Sequence, residues 1–85
     1  MTDLDDRFDQ ALQDVQSLGE RPDNEVLLKL YALYKQATEG DVQGEKPGFF
    51  DFVGSAKYEA WLQVKGVDAN EAKQRYIDLV AQLHG

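Results

Sequence analysis

Three tyrosines and two lysines carry the chemistry that this sequence could perform. Tyr31, Tyr34 and Lys35 lie within five consecutive positions, and Lys57 and Tyr76 follow at longer range. A phenol offers a flat face for stacking and a hydroxyl donor, and an ammonium supplies a point charge for phosphate. An adenine nucleotide with a phosphate on its ribose would use both. At a rotation of about 100° per residue, Tyr31, Tyr34 and Lys35 fall on one flank of a helix around Leu27, while Val26, Leu30, Leu33 and Ala37 fall on another. One flank must face a core and the other something else. The bland alternative is that the tyrosines are half-buried core aromatics and the lysines solvate helix faces. Spacing alone favours that alternative, because the five residues lie on three different segments and only a fold can bring them together.

The remaining chemistry is thin. There is no cysteine, which removes thiol nucleophiles, disulfides and zinc knuckles. The one histidine, His84, is penultimate and expected to fray. Carboxylate pairs such as Asp5 with Asp6, or Asp3 with Glu20, are what sixteen acids place on solvated faces. No catalytic role, no metal ligand set and no cofactor is expected. The net charge of −7 argues against nucleic acid held by counterion release. The acidity is uneven: residues 1–28 hold eight acids and two bases, whereas residues 29–65 hold five of each. An anionic small molecule is therefore tolerable in the middle of the chain. The acidic start from Met1 to Asp6 lacks the basic and apolar parts of a signal peptide, and no apolar run approaches the roughly 20 residues of a membrane span. A cytoplasmic, monomeric protein without stable membrane association is expected.

Four helical segments must position these residues, as one domain over residues 1–85. The first is predicted from Asp3 to about Leu18, with Leu4, Phe8, Ala11, Leu12, Val15 and Leu18 as its stripe. Thr2 and Asp5 approximate a capping box, and Gly19 is a natural left-handed stop. The second is predicted from Asp23 or Asn24 to Glu39, closed by Gly40. A connection from Asp41 to Asp51 contains Gly44, Pro47 and Gly48. The third runs from about Phe52 to Lys65 and stops at Gly66, with Lys57, Trp61 and Val64 on one face. The fourth opens on Asp68 and Glu71 and reaches about Leu83, with Ala69, Ala72, Tyr76, Leu79 or Val80, and Leu83 as its stripe. The fold class is all-α. The roughly ten-residue second connection is long enough to cross one end of the bundle, so helices two and three could run parallel, with a groove where helices splay.

The run Tyr31-Ala32-Leu33-Tyr34-Lys35-Gln36-Ala37-Thr38-Glu39-Gly40-Asp41 resembles the signature of the acyl-CoA-binding protein family, Y-x-x-Y-K-Q-A-T-x-G-D. Lys46-Pro47-Gly48-Phe49-Phe50-Asp51-Phe52, then Ala56-Lys57-Tyr58-Glu59-Ala60-Trp61, Lys65-Gly66, Ala72 and Tyr76-Ile77 follow at the family's spacing. The resemblance implies a four-helix bundle in up-down-down-up order that holds medium- to long-chain fatty acyl-CoA without covalent chemistry. It implies that Tyr31, Lys35 and Lys57 hold the ribose 3'-phosphate, that Tyr34 and Tyr76 flank the adenine, and that Leu27 lies near the acyl chain. Ala32, Leu33 and Gln16 complete the implied ligand set. The chain departs from the family at Val53, Ser55 and Gln16, where basic residues are common, and at Tyr58, where a tryptophan is usual; these changes weaken the electrostatic help given to phosphates.

Two rivals come from other classes. A carrier with a covalent phosphopantetheine arm needs a serine at a helix start, usually in an Asp-Ser-Leu triplet. Ser17 stands in Gln16-Ser17-Leu18 at a helix end and Ser55 in Gly54-Ser55-Ala56, and neither fits. A protein-interaction module would use the same aromatic stripe to receive a partner helix.

Overall fold

The computed structural model describes residues 2–84; Met1 and Gly85, the ends of the expected 1–85 domain, lie outside the described residues. Four helices follow one another: α1 Asp3–Gln16, α2 Asn24–Glu39, α3 Phe52–Gln63 and α4 Ala69–His84. No strand occurs among the described residues.

The ends are set by local chemistry. Thr2 accepts a hydrogen bond from the Asp5 amide, Asp23 from the Val26 amide and Asp51 from the Gly54 amide, so each side chain satisfies a donor that the first turn leaves orphaned. A Cβ at position 54 would lie 2.3 Å from the capping carboxylate of Asp51, so a larger residue there must displace that cap. Gly40 closes α2 with φ of 82°, a backbone region costly for other residues. Gly19 does not act as the expected left-handed stop. α1 ends at Gln16, and the Ser17 amide and hydroxyl both donate to the Asp14 carbonyl, which leaves Leu18 outside the helix. His84 does not fray either: it is the last residue of α4, and its Nε2 lies 3.0 Å from the Asp14 carbonyl oxygen.

Pairwise contacts give the helix directions. Along α1 and α4, Asp5 meets Lys73, Phe8 meets Tyr76 and Asp14 meets His84, so these two helices are parallel. Along α2 and α3, Tyr31 meets Lys57 and Lys35 meets Trp61, again parallel. α2 begins beside the end of α4, where Val26 and Leu83 line one depression, so α2 and α4 are antiparallel. The order is up-down-down-up. The long connection does what its length suggested, carrying the chain back across one end of the bundle.

The core lies among α1, α2 and α4, built from Phe8, Ala11, Leu30, Leu33, Ala37, Ala72, Tyr76 and Val80. α3 stands apart. Its one close helical neighbour is α2, and it contributes no fully buried residue. What holds it is a set of polar bonds, with the partly buried Val64 at its end packing on the core. The Trp61 indole N–H donates to the Gly40 carbonyl at 2.8 Å, the Tyr58 hydroxyl to the Gly44 carbonyl at 3.2 Å, and Lys46 pairs with Glu59 at 2.6 Å. Buried Gln36 donates to both Asp41 (2.8 Å) and the Val67 carbonyl (2.9 Å), and Asp41 also accepts from the Gly66 amide at 2.7 Å. These bonds lock the end of α2 to the turn between α3 and α4. They hold the Asp41 carboxyl below its usual range, the Gln36 bond first and the Gly66 amide second.

A candidate anion and apolar-chain site along α2 and α3

Because α2 and α3 run parallel, residues one turn apart on one helix meet residues one turn apart on the other. The Lys57 ammonium sits 5.2 Å from the centre of the Tyr31 ring, and one turn further along the Lys35 ammonium sits 5.1 Å from the Trp61 ring. Both distances are within cation–π range. Two cations therefore share one seam, each resting on an aromatic face. Lys35 also engages the Glu39 carboxylate directly. That pairing holds the ammonium above its ordinary pKa, with Tyr31 and Tyr34 adding smaller favourable contributions.

The phenols divide between the two sides of α2. Tyr31 faces α3 and Lys57. Tyr34 turns the other way and stacks on Phe8 of α1, 6.3 Å between centres and 22° between planes, with 40% of its surface exposed. Tyr76 meets Phe8 edge-on at 5.2 Å and is 4% exposed. Burial, with Tyr34 nearby, raises the Tyr76 phenol above its usual pKa. Phe8 thus bridges Tyr34 and Tyr76, and of this trio Tyr34 offers the ring face that is open to solvent.

Toward the start of α2 and α3 the seam widens into a cleft of about 430 Å³ whose walls are Leu27, Leu28, Tyr31, Phe52, Val53, Ala56 and Lys57, with Arg21 and Asn24 at the rim. Its walls are mainly apolar, and Lys57 and Arg21 give it a cationic border. Phe49 and Phe50, 83% and 85% exposed, stand just before Phe52 on the approach to α3.

The residues singled out from sequence separate accordingly. Tyr31, Lys35 and Lys57 converge on the seam, and Leu27 lines the adjoining cleft. Tyr34 lies on the neighbouring face, one turn from Tyr31. Ala32 and Leu33 are buried and line a second cavity, of about 490 Å³, on the opposite side of the seam. They take no part in the cleft, because one and two residues beyond Tyr31 the helix has turned their side chains inward. Gln16 is the exposed last residue of α1, outside both cavities. Sequence reasoning missed Arg21, Asn24, Leu28, Phe52 and Ala56 in the cleft. It named Val53 only as a lost basic position and Trp61 only as sharing a face with Lys57, not as the ring beneath Lys35. Stepping back one turn at a time from Tyr31 and from Lys57 along two parallel helices would have reached most of them.

An ammonium pair over aromatic rings beside an apolar slot can hold a molecule with an anionic aromatic head and a hydrocarbon tail. Among the described residues no group of acids and histidines could hold a metal ion, and no helix is long and apolar enough to cross a membrane.

Residues 5–80 match the family described as acyl-CoA-binding protein. Acyl-CoA-binding protein homolog 1 of Caenorhabditis elegans is 47% identical over 76 residues, which span 89% of this chain and 88% of that protein. A 50% match over 76 residues to enoyl-CoA delta isomerase 2 of Rattus norvegicus covers 89% of this chain, but the chain spans only 19% of that relative's length. Among solved structures, Oryza sativa acyl-CoA-binding protein 2 superposes with a TM-score of 0.89 at 39% identity, covering 94% of this chain and 89% of that one.

Proposed function

The chain belongs to the acyl-CoA-binding protein family, and from that premise we propose that it is a carrier that holds medium- to long-chain fatty acyl-CoA esters without transforming them. The observation that carries the reading is the seam in which Lys57 over Tyr31 and Lys35 over Trp61 adjoin an apolar cleft. The ribose 3'-phosphate takes the two ammonium groups and the Tyr31 hydroxyl. The adenine packs against Tyr34, with Tyr76 backing it through Phe8 from the core. The acyl chain runs into the cleft beside Leu27, Leu28 and Phe52. Residues 1–85 act as one monomeric, cytoplasmic domain with no cofactor and no stable membrane attachment.

Two energies set the selectivity. Each methylene buried in the cleft contributes at most about 0.8 kcal/mol, so two further carbons tighten binding roughly tenfold until the cleft is full. Each charged hydrogen bond to the phosphate contributes about 1.5–3 kcal/mol. Chain length therefore tunes affinity, and the phosphate restricts the class to CoA esters. Calorimetric titration with a series of acyl-CoA lengths, and with the matching 3'-dephospho esters, tests both halves. Affinity should rise with chain length and then level off, and should fall sharply without the phosphate. Equal affinity for phosphorylated and dephospho esters would remove the phosphate assignment. A mass increase after incubation with a phosphopantetheinyl transferase and CoA would replace the reading with that of a covalent carrier.

A further inference from the structure

Glu39 is the last residue of α2, one turn beyond Lys35, and its carboxylate is bonded to the Lys35 ammonium. Helix physics gives that pair little reason to exist. An anion in the final turn is opposed by the helix dipole, and no basic residue in that turn compensates it. Lysine placed N-terminal to glutamate at this spacing is also the weaker of the two orders. The pair is more exposed on the Glu39 side, 53%, than on the Lys35 side, 22%. The two seam cations differ sharply as a result. Among the described residues Lys57 forms no ion pair and rests on Tyr31, whereas Lys35 carries its own carboxylate.

We infer that Glu39 is a specificity-determining residue that competes with the ligand's phosphate for the Lys35 ammonium. The inference rests on the assignment of the 3'-phosphate to Lys35 and Lys57. A phosphate entering the seam must displace Glu39 or share Lys35 with it, and the displaced carboxylate stays close enough to repel the incoming dianion. A ligand without that phosphate leaves the pair intact. Glu39 therefore lowers affinity for phosphorylated esters selectively, and the preference over dephospho esters is smaller than two unpaired lysines would give.

The test is calorimetry of hexadecanoyl-CoA and 3'-dephospho-hexadecanoyl-CoA with the wild-type chain, Glu39→Gln, Lys35→Gln and the double variant, at one fixed ionic strength. Circular dichroism melts confirm that each is folded; the exposed, isosteric Glu39→Gln change should leave the melt unaltered. Glu39→Gln should raise the affinity ratio of phosphorylated to dephospho ester by about 1.4- to 5-fold, the size of one exposed charge pair. The dephospho ester should bind with unchanged affinity, and the gain should vanish in the Lys35→Gln background. A ratio that stays constant or falls in Glu39→Gln overturns the competition, since a falling ratio would mean that Glu39 merely holds Lys35 in place. A gain that persists without Lys35 also overturns it, showing general repulsion instead. If the wild-type chain itself fails to distinguish the two esters, the phosphate assignment fails and this inference with it; discrimination by the wild type with no effect of Glu39→Gln sinks the inference alone.

Discussion

The two flanks of α2 are built on opposite principles. The flank bearing Leu30, Leu33 and Ala37 closes against α1 and α4 over buried aliphatic and aromatic surface. The flank bearing Leu27, Leu28 and Tyr31 meets α3, a helix with no fully buried side chain, across a cleft left partly empty. A domain of this size has little core to spare, and it concentrates that core on one side. The other side is held at the far end of the seam, by polar ties from Gln36, Trp61 and Tyr58 and by Val64 packing on the core, so the cleft end can remain open. Stability and binding are thus assigned to different faces of one helix, and substitutions on the two faces should have separable consequences.

The largest expected effect lies on the closed flank. Leu30→Ala removes a side chain that is 5% exposed in the middle of the core, and should destabilise the fold by about 2–5 kcal/mol in urea unfolding. Leu27→Ala, on the open flank, should lose clearly less stability and instead weaken binding of long-chain esters. Equal stability losses at the two positions would mean that the flanks are not distinct.

Next in size is the charge on the open flank. Lys57→Ala should reduce affinity for an acyl-CoA by about 1.5–3 kcal/mol, the worth of a charged hydrogen bond. The unfolding free energy should stay within about 0.5 kcal/mol of the wild type, as is usual for surface changes. The dephospho ester should be nearly indifferent to the change. A matched fall in affinity for both esters would instead place Lys57 against some other part of the ligand.

How much of this contrast was legible in the sequence follows from the same physics. α1, α2 and α4 each present one apolar stripe to a core, so periodicity located them, and Thr2, Asp23 and Gly40 marked ends by requirements that act within one turn. α3 was placed by the end of the Gly- and Pro-containing connection and by Gly66 rather than by pattern, because a helix that packs on one neighbour has no continuous buried face to repeat. The two flanks of α2 could be separated on a helical wheel, but which partner each would meet could not. Tyr34 and Tyr31 looked equivalent there, yet one stacks on Phe8 of α1 and the other lies under Lys57 of α3. A groove could be expected from the long connection, but its lining could not: Phe52 and Val53 approach Leu27 only once that connection has made α2 and α3 parallel.

The ties themselves predict an acid response. Asp41, bonded to Gln36 and to the Gly66 amide, and Asp5, bonded first to Lys73 and then to Thr2, both have carboxyls held below their ordinary values. A depressed folded-state pKa adds stability that is present above the unfolded value, near pH 4, and is lost as pH falls through the lower folded value. Stability followed by circular dichroism should therefore decline as pH drops below about 4. Asp41→Asn and Asp5→Asn should each flatten part of that decline. The two should differ in location, because Asp41 fastens the α3 end of the seam while Asp5 joins α1 to α4. Hydrogen exchange near pH 4 should show Asp41→Asn loosening α3 first and Asp5→Asn loosening α1. A uniform response would deny α3 its separate footing.

The smallest effect should come from restoring a charge to the cleft. Val53 is 67% exposed on the cleft wall, in the turn of α3 preceding Lys57. Val53→Lys places a third cation beside Lys57 and Arg21, and for an exposed charge this is worth about 0.2–1 kcal/mol. The lysine stem still covers apolar surface, so contact with the acyl chain is largely kept. Affinity for an acyl-CoA should therefore rise by about 1.4- to 5-fold at low ionic strength. The gain should shrink toward nothing near 1 M salt, where the screening length is about 3 Å. Unfolding free energy should not change measurably, since Val53 packs on no core residue. A gain that survives high salt would show that the stem, not the charge, contacts the ligand. A stability loss comparable with that of Leu30→Ala would mean that the open flank supports the fold after all.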